Sequence, residues 1–257
     1  MWDPRQYLRY QDERSRPFYD LASQVEAGLG RAPRKAADLG CGAGNLTASL
    51  AGRWPAAQIW GVDSSPEMIA QAQKHAEPPR LRFVQAELLA WQPPVELEVI
   101  ISNAALQWLP DHATVLPALA AKLAPGGWLA FQVPGEFEGR QLFRKVISRP
   151  RWREKIGDKG GPPSIMGDVG WYVDFLAPRG FEVNAWETNY YHILQGENAV
   201  LEWVKGTMLR PALAALVPEE QKELLDELNV ELLQAYPLES YGTVLTFMRL
   251  FVVAKRG

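Results

Sequence analysis

The fold is decided by the stretch Ala36-Ala37-Asp38-Leu39-Gly40-Cys41-Gly42-Ala43-Gly44-Asn45. Its first four residues form a short and mostly apolar run, which is typical of a buried strand. The three glycines that follow allow backbone N–H groups to approach a ligand closely. Leu46 and Leu50 then recur at helical spacing. The stretch therefore predicts a strand, a ligand-binding loop and a helix, in that order.

Strands and helices continue to alternate on the carboxyl side of this loop. We predict seven strands, over 36–39, 58–62, 81–84, 97–102, 128–133, 181–192 and 244–254. Strands spaced by helices of this length form right-handed crossovers and a sheet that is covered on both faces. We therefore predict an α/β fold with a Rossmann-like, seven-stranded, mainly parallel sheet.

Two segments outside this alternation are predicted to be helical covers. Residues 1–30 show apolar positions at helical spacing, and in 135–180 glycine, proline and basic residues interrupt short helical stretches. We interpret 135–180 as a helical insertion over the carboxyl edge of the sheet and 1–30 as an N-terminal helical lid, both mobile without ligand. The whole of 1–257 is predicted to be a single domain.

Composition excludes several classes of function. The net charge of −3 gives no attraction to nucleic acid or to an anionic membrane, so we expect neither as a partner. Cys41 is the single cysteine, which excludes an internal disulfide and leaves too few thiols for a zinc site, and we predict no metal. The amino terminus lacks the apolar core of a signal peptide, so we expect a cytoplasmic location.

The glycine loop fits two classes of nucleoside ligand. A dinucleotide loop reads G-x-G-x-x-G, but here Asn45 occupies the sixth position. Asp38 suits a cationic amino group better than a pyrophosphate, because like charges repel. Asp63 ends the second strand, where a carboxylate accepts hydrogen bonds from ribose hydroxyls in both classes. A nicotinamide-dependent oxidoreductase therefore stays open as an alternative at this point.

The loop, together with Asp63-Ser64-Ser65-Pro66-Glu67-Met68, resembles the class I S-adenosylmethionine-dependent methyltransferases. The resemblance implies S-adenosyl-L-methionine as cofactor and S-adenosyl-L-homocysteine as product. It also implies that Glu87 lies where the family usually has an aspartate near adenine, and that Asn103 lies beside the sulfonium. The cofactor-binding residues that it implies are Asp38, Gly40, Gly42, Gly44, Asn45, Asp63, Ser64, Met68, Glu87, Leu88 and Asn103.

A closer resemblance extends along nearly the whole chain. The segments 1–4, 13–17, 103–112, 186–192, 235–238 and 249–251 are together similar to the trans-aconitate 2-methyltransferase family. The resemblance implies a monomethyl ester of a small tricarboxylic acid, for which arginine is a suitable bidentate partner. The candidate substrate-binding residues are Arg16, Gln107, Trp108, Tyr190, Tyr191, His192, Arg210 and Arg249. Tyr190 and Tyr191 alternate along a strand, so we expect at most one to face the site, and structural roles stay open for His192 and Arg249.

We predict direct in-line methyl transfer without an acid–base residue, because a carboxyl group is already ionised at pH 7. Asn103, Gln107 and Trp108 are expected to position the acceptor, a small polycarboxylate. The arginines are expected to hold the carboxylates that are not methylated, since a clamped carboxylate is a poorer nucleophile. A methyltransferase for another small acid or an acyl thioester is the first alternative, and an inactive binding protein with the same fold is another.

Overall fold

The computed structural model describes residues 11–109, 111–157 and 167–257, with side chains from residue 15 onward. The predicted segment 1–4, all of the predicted lid before residue 11, Pro110 of the segment 103–112 and the part of the insertion over 158–166 lie outside these residues. The chain divides into two compact units. We call the described residues within 15–134, 166–188 and 249–257 the sheet unit, and the described residues within 1–14, 135–165 and 189–248 the helical unit.

The strands are longer than the sequence predicts, usually by one or two residues at an end. They are β1 (Lys35–Leu39), β2 (Gln58–Asp63), β3 (Leu81–Gln85), β4 (Leu97–Asn103), β5 (Leu123–Pro134), β6 (Phe181–Leu194), β7 (Leu238–Glu239) and β8 (Gly242–Arg256). The helices are α1 (Gln11–Leu29), α2 (Asn45–Arg53), α3 (Pro66–Ala72), α4 (His112–Ala120), α5 (Glu138–Ile147), α6 (Pro150–Ile156), α7 (Val169–Leu176), α8 (Ala199–Lys205), α9 (Arg210–Ala214) and α10 (Pro218–Ala235).

The strand order is β3-β2-β1-β4-β5-β8-β6, and β7 pairs with β8. Neighbours from β3 to β5 are parallel, whereas β8 runs antiparallel to β5. The described residues thus form eight strands rather than the predicted seven. The additional strand, β7, has two residues and pairs with β8 across a tight turn, and so short a segment carries no period that a sequence pattern could reveal.

The core of the sheet unit follows from its apolar patterning. The last four residues of β1 are buried, as is most of β2. In α1, the buried residues Phe18, Leu21, Ala22 and Val25 recur at i, i+3, i+4 and i+7, so one face of the helix is buried. The described part of the predicted lid is therefore a helix with an apolar buried face, and its movement stays a prediction.

The helical unit has its own core and an external row of ion pairs. Its buried cluster includes Trp152 in α6, Trp203 in α8 and Leu224, Leu228 and Leu232 in α10. Basic residues of α5, α6 and their junction pair with glutamates of α10, through Lys145–Glu231, Arg149–Glu227, Arg149–Glu231, Arg151–Glu223 and Lys155–Glu220. We call these pairs the charge ladder. Among the helices described, we find none with the length and apolar content that a membrane span needs.

Candidate cofactor and acceptor site

The glycine loop between β1 and α2 is closely packed on one side and open at its centre. A Cβ added to Gly40 would collide with the Cβ of Ala105, so the loop touches the segment that follows β4. Gly42 has φ +54, in the left-handed region, and the nearest atom that its Cβ would meet is Met68 Cε at 3.8 Å. The backbone at Gly42 therefore borders space that a ligand can enter.

Asp63 joins this loop to the end of β2. Its Oδ2 accepts a hydrogen bond from the Gly42 N–H at 2.9 Å, and its Oδ1 accepts one from the Ser65 N–H, also at 2.9 Å. Each carboxylate oxygen has a second lone pair. Asp63 can therefore hold the loop in place and still accept hydrogen bonds from two hydroxyl groups of a ligand.

Asp38, near the end of β1, is a buried carboxyl group beside the loop. Burial and, to a smaller extent, the negative charge of Asp63 raise its pKa to about 7, against the lowering effect of a 2.6 Å hydrogen bond donated by Thr47 Oγ1. A buried anion is stabilised by a nearby cation. The site therefore favours a ligand that brings a positively charged amino group to Asp38. Burial also raises the pKa of the Cys41 thiol, so Cys41 is protonated near neutral pH.

A short 3-10 turn at Leu106–Trp108 follows β4 and carries two predicted acceptor residues. Gln107 Nε2 donates a 2.7 Å hydrogen bond to the Ala104 carbonyl, while Trp108 is 47% exposed. Ala104 has φ +53, a left-handed conformation that is uncommon for a residue with a side chain. The turn therefore places an amide and an indole directly after the strained end of β4.

His112, which was not predicted from the sequence as a site residue, holds this turn through a hydrogen bond to its backbone. Its Nε2 lies 2.9 Å from the Leu106 carbonyl and its Nδ1 lies 2.7 Å from the Tyr172 hydroxyl. A carbonyl can only accept, so Nε2 carries the proton and Nδ1 accepts from Tyr172. Burial lowers the pKa of His112, which favours this neutral form. The buried polar pair thus holds the turn through its backbone.

Gln132 in β5 is a second residue that the sequence analysis missed. It is fully buried, and its Nε2 donates a 2.5 Å hydrogen bond to Asn103 Oδ1. Its Oε1 accepts one from Arg249 Nη1 at 3.4 Å. A signal was present in the sequence, because Gln132 interrupts the apolar run Leu129-Ala130-Phe131-Gln132-Val133. We call these three residues the Asn103–Gln132–Arg249 network.

Comparisons with known proteins agree with this geometry. A family model described as a methyltransferase domain matches residues 36–127, which include the glycine loop and Asp63. A trans-aconitate 2-methyltransferase of Streptomyces avermitilis is 44% identical, over 99% of this chain and 97% of that protein. One from Rhodococcus jostii is also 44% identical, over 99% of both. The chain belongs to the trans-aconitate 2-methyltransferase family.

Solved structures that resemble this family member in fold are much more distant in sequence. The YcgJ protein of Bacillus subtilis gives a TM-score of 0.62 at 13% identity, with 93% of this chain and 98% of that one covered. An S-adenosylmethionine-dependent methyltransferase of Geobacter sulfurreducens, solved with S-adenosyl-L-homocysteine, gives 0.54 at 16% identity, covering 92% and 91%. The predicted α/β fold class and the predicted family are thus confirmed.

The predicted cofactor residues come together in the sheet unit. The Ala86 N–H donates to the Asp63 carbonyl at 3.0 Å, which brings the end of β3 beside β2. Just beyond, the Glu87 side chain is exposed and Leu88 is buried. The residues whose placement borders the glycine loop or the ends of β2 to β4 are Asp38, Gly40, Gly42, Gly44, Asn45, Asp63, Ser64, Met68, Glu87, Leu88 and Asn103. Their contact with the cofactor stays a prediction.

The predicted acceptor residues fall into two groups. Gln107, Trp108, Arg249 and the exposed Arg16 of α1 belong to the sheet unit. The others belong to the helical unit, and their role toward the acceptor stays a prediction.

Within that second group, burial differs sharply. Tyr190 is 2% exposed and Tyr191 is 68% exposed, as alternation along β6 predicts. His192 stacks on Trp203 with ring centroids 5.0 Å apart, which fits the structural role left open for it. Arg210 is exposed at the start of α9.

Proposed function

We propose that this protein transfers a methyl group from S-adenosyl-L-methionine to one carboxylate of trans-aconitate or a closely similar small polycarboxylate, forming a monomethyl ester. The observation that carries the proposal is the 42–44% identity to trans-aconitate 2-methyltransferases over nearly the whole chain. The net charge of −3 gives no attraction to nucleic acid or to an anionic membrane, which supports a free small acceptor over either polyanion.

Four features of the sheet unit fit the cofactor. The open backbone at Gly42 leaves room for its methionine part, and the raised pKa of Asp38 is relieved by a ligand amino group. The spare lone pairs of Asp63 suit the two ribose hydroxyls. Glu87 follows β3, where the resemblance to class I methyltransferases implies an acidic residue, usually an aspartate, near adenine. The bound cofactor supplies an electrophilic methyl group on a positively charged sulfur.

The protein's own residues need only to orient the acceptor. A carboxylate is ionised at neutral pH, so no side chain has to remove a proton before the transfer. Gln107 and Trp108 lie on the turn that His112 fixes, and we place the reacting carboxylate there. Alignment of two bound reactants can lower a barrier by roughly 7–11 kcal/mol.

Arginine side chains are assigned to the carboxylates that do not react. A guanidinium group binds both oxygens of a carboxylate and occupies their lone pairs, which weakens the nucleophile. Arg16 is the exposed candidate in the sheet unit for this role. A substrate that lacks its reactive carboxylate should therefore still bind, although it cannot be methylated.

The test is methyl transfer from tritiated S-adenosyl-L-methionine to a panel of di- and tricarboxylates. We expect transfer to trans-aconitate well above that to its saturated analogue, with the label released by mild base because an ester has formed. Label that resists base would overturn carboxyl methylation. Transfer to a different acid would keep the reaction class and overturn the acceptor, whereas stabilisation by a nicotinamide dinucleotide and not by S-adenosyl-L-homocysteine would overturn both.

A further inference from the structure

We infer that Gln132 is a positioning residue for methyl transfer, which orients the Asn103 side chain so that its NH₂ group faces away from Gln132 and toward the acceptor. The inference rests on the proposed function and adds how that site holds the reacting carboxylate. It concerns a buried residue of β5 that is not part of the glycine loop.

The network crosses three neighbouring strands at one end of the sheet. Asn103 and Gln132 are paired in the register of β4 and β5, and Arg249 pairs with Pro134, two residues beyond Gln132, in the register of β5 and β8. Residues two apart on a strand point to the same face, so the three side chains can reach one another in a row. Gln132 lies in the middle and has no exposed surface.

The chemistry of arginine sets the direction of both amides. A guanidinium group has donors and no acceptor, so the Gln132 atom that faces Arg249 must be Oε1. The other branch of that amide, Nε2, then faces Asn103 and must meet an acceptor, which is Oδ1. The Asn103 NH₂ group is left on the opposite side with two N–H donors. The orientation of both amides thus follows from a guanidinium group that cannot accept a hydrogen bond.

The backbone beside Asn103 is held by the same residue. The Ala104 N–H donates a 3.0 Å hydrogen bond to the Gln132 carbonyl, and Ala104 has the left-handed φ of +53 described above. A backbone in such a region persists only where surrounding contacts over-determine it, and such residues cluster at functional sites. Gln132 therefore fixes both the side chain of Asn103 and the peptide that follows it.

The direction of the Asn103 amide decides whether it attracts or repels an anionic acceptor. An NH₂ group donates to a carboxylate oxygen, whereas a C=O group placed there would repel it. A neutral donor also orients the carboxylate without the strong pairing of a guanidinium group, which would weaken the nucleophile. Through Gln132, the buried Arg249 thus determines which end of the Asn103 amide faces the reacting carboxylate. The arginine itself stays two residues away in the strand register.

The test is Gln132→Glu, which is nearly isosteric. A carboxylate at 132 still accepts from Arg249 but cannot donate to Asn103, so the Asn103 amide has to turn its NH₂ group inward. We expect kcat/KM for trans-aconitate to fall by about 10- to 100-fold, with affinity for S-adenosyl-L-homocysteine changed by less than about twofold. In an Asn103→Ala background, the same substitution should cost less than about twofold more, because the residue it acts through is gone.

Gln132→Met provides a second variant of similar volume, should a buried glutamate prevent folding. It removes the donor as well and should show the same loss, and the same absence of loss beside Asn103→Ala. Equal losses in both backgrounds, or full activity of either folded variant, would overturn the inference. A wild-type protein inactive on every carboxylate would overturn the proposed function instead, so the two failures are distinguishable.

Discussion

The two units of the molecule use polar side chains in opposite ways. In the sheet unit, the Asn103–Gln132–Arg249 network and the His112–Tyr172 pair are buried except for the half-buried Asn103, and they consist mainly of neutral groups. In the helical unit, the charge ladder is made of full charges at the surface, where Arg149 and Glu227 keep 39% and 32% of their side-chain area exposed. One arrangement fixes the orientation of individual atoms, and the other holds helices together with interchangeable contacts.

The difference separates groups whose loss should impair chemistry from groups whose loss should impair only stability. Water cannot take the place of a partner inside the core, so removing one member of a buried hydrogen-bonded pair leaves the other as an unmet donor or acceptor. An exposed ion pair is readily replaced by water and salt, and contributes little. Substitutions in the sheet unit should therefore change ligand affinity or turnover, and those in the charge ladder should change neither.

The largest effect is expected from Asp63→Ala. The change removes the carboxylate proposed for the ribose hydroxyls and also the acceptor of the Gly42 and Ser65 N–H groups. Two hydrogen bonds to a charged group correspond to about 100-fold or more in affinity for S-adenosyl-L-homocysteine, measured by titration calorimetry.

Ser65→Ala is the matched control in the same turn. It removes the side-chain cap of α3, which accepts from the Met68 N–H at 3.2 Å, and leaves Asp63 in place. Loss of a cap costs typically about 1 kcal/mol of stability, with ligand affinity nearly unchanged. Unchanged affinity in Asp63→Ala would contradict the assignment of the whole cofactor site.

The next effect is a pH dependence that arises from Asp38. Because its pKa is about 7 in the ligand-free protein, only a minority of protein molecules have an ionised Asp38 at lower pH. A ligand amino group binds to that minority. Affinity for S-adenosyl-L-homocysteine should rise by up to about tenfold per pH unit below pH 7 and level off above it. Calorimetry in buffers with different ionisation enthalpies should show proton release at pH 6.

The same raised pKa predicts the sign of a stability change. Folded Asp38 keeps its proton where the unfolded chain has lost it, so this group's contribution to stability falls as pH rises from about 4 to about 7. Asp38→Asn should remove that slope and be more stable than the wild type at pH 8, while binding the ligand more weakly. A variant with the wild-type slope would show that another group titrates.

The sequence predicted the fold and the cofactor loop because both depend on local patterns. Strand and helix periods, and glycines at 40, 42 and 44, are visible without knowledge of what packs against them. The short β7 was not predictable, because its two residues form a strand only through pairing with β8.

Gln132 and His112 were not predicted as site residues for a related reason, because each acts through a partner that is distant along the chain. Arg249 is 117 positions from Gln132, and Tyr172 is 60 from His112. A polar residue inside an apolar strand signals that it has a partner, although it does not say which one. The ion pairs of the basic residues around Arg149 were also not predictable, because the positive charges alone do not reveal that glutamates of α10 neutralise them.

The smallest effect is expected in the charge ladder, where it measures how much the exposed ion pairs of the helical unit contribute to stability. A double-mutant cycle of Arg149→Ala and Glu227→Gln should give a coupling of about 0.5–1 kcal/mol in the free energy of unfolding. The reason is that only 39% and 32% of these side chains are exposed and that Trp152 Nε1 also donates to Glu227 at 2.9 Å. The same cycle on Arg151 and Glu223, with about half of each side chain exposed, should give nearly zero. Both couplings should shrink in 1 M salt, where the Debye length is only about 3 Å, whereas the loss of turnover in Gln132→Glu should not. A ladder variant that lost turnover as Gln132→Glu does would show that the exposed charges also orient the acceptor, and the separation of roles between the two units would fail.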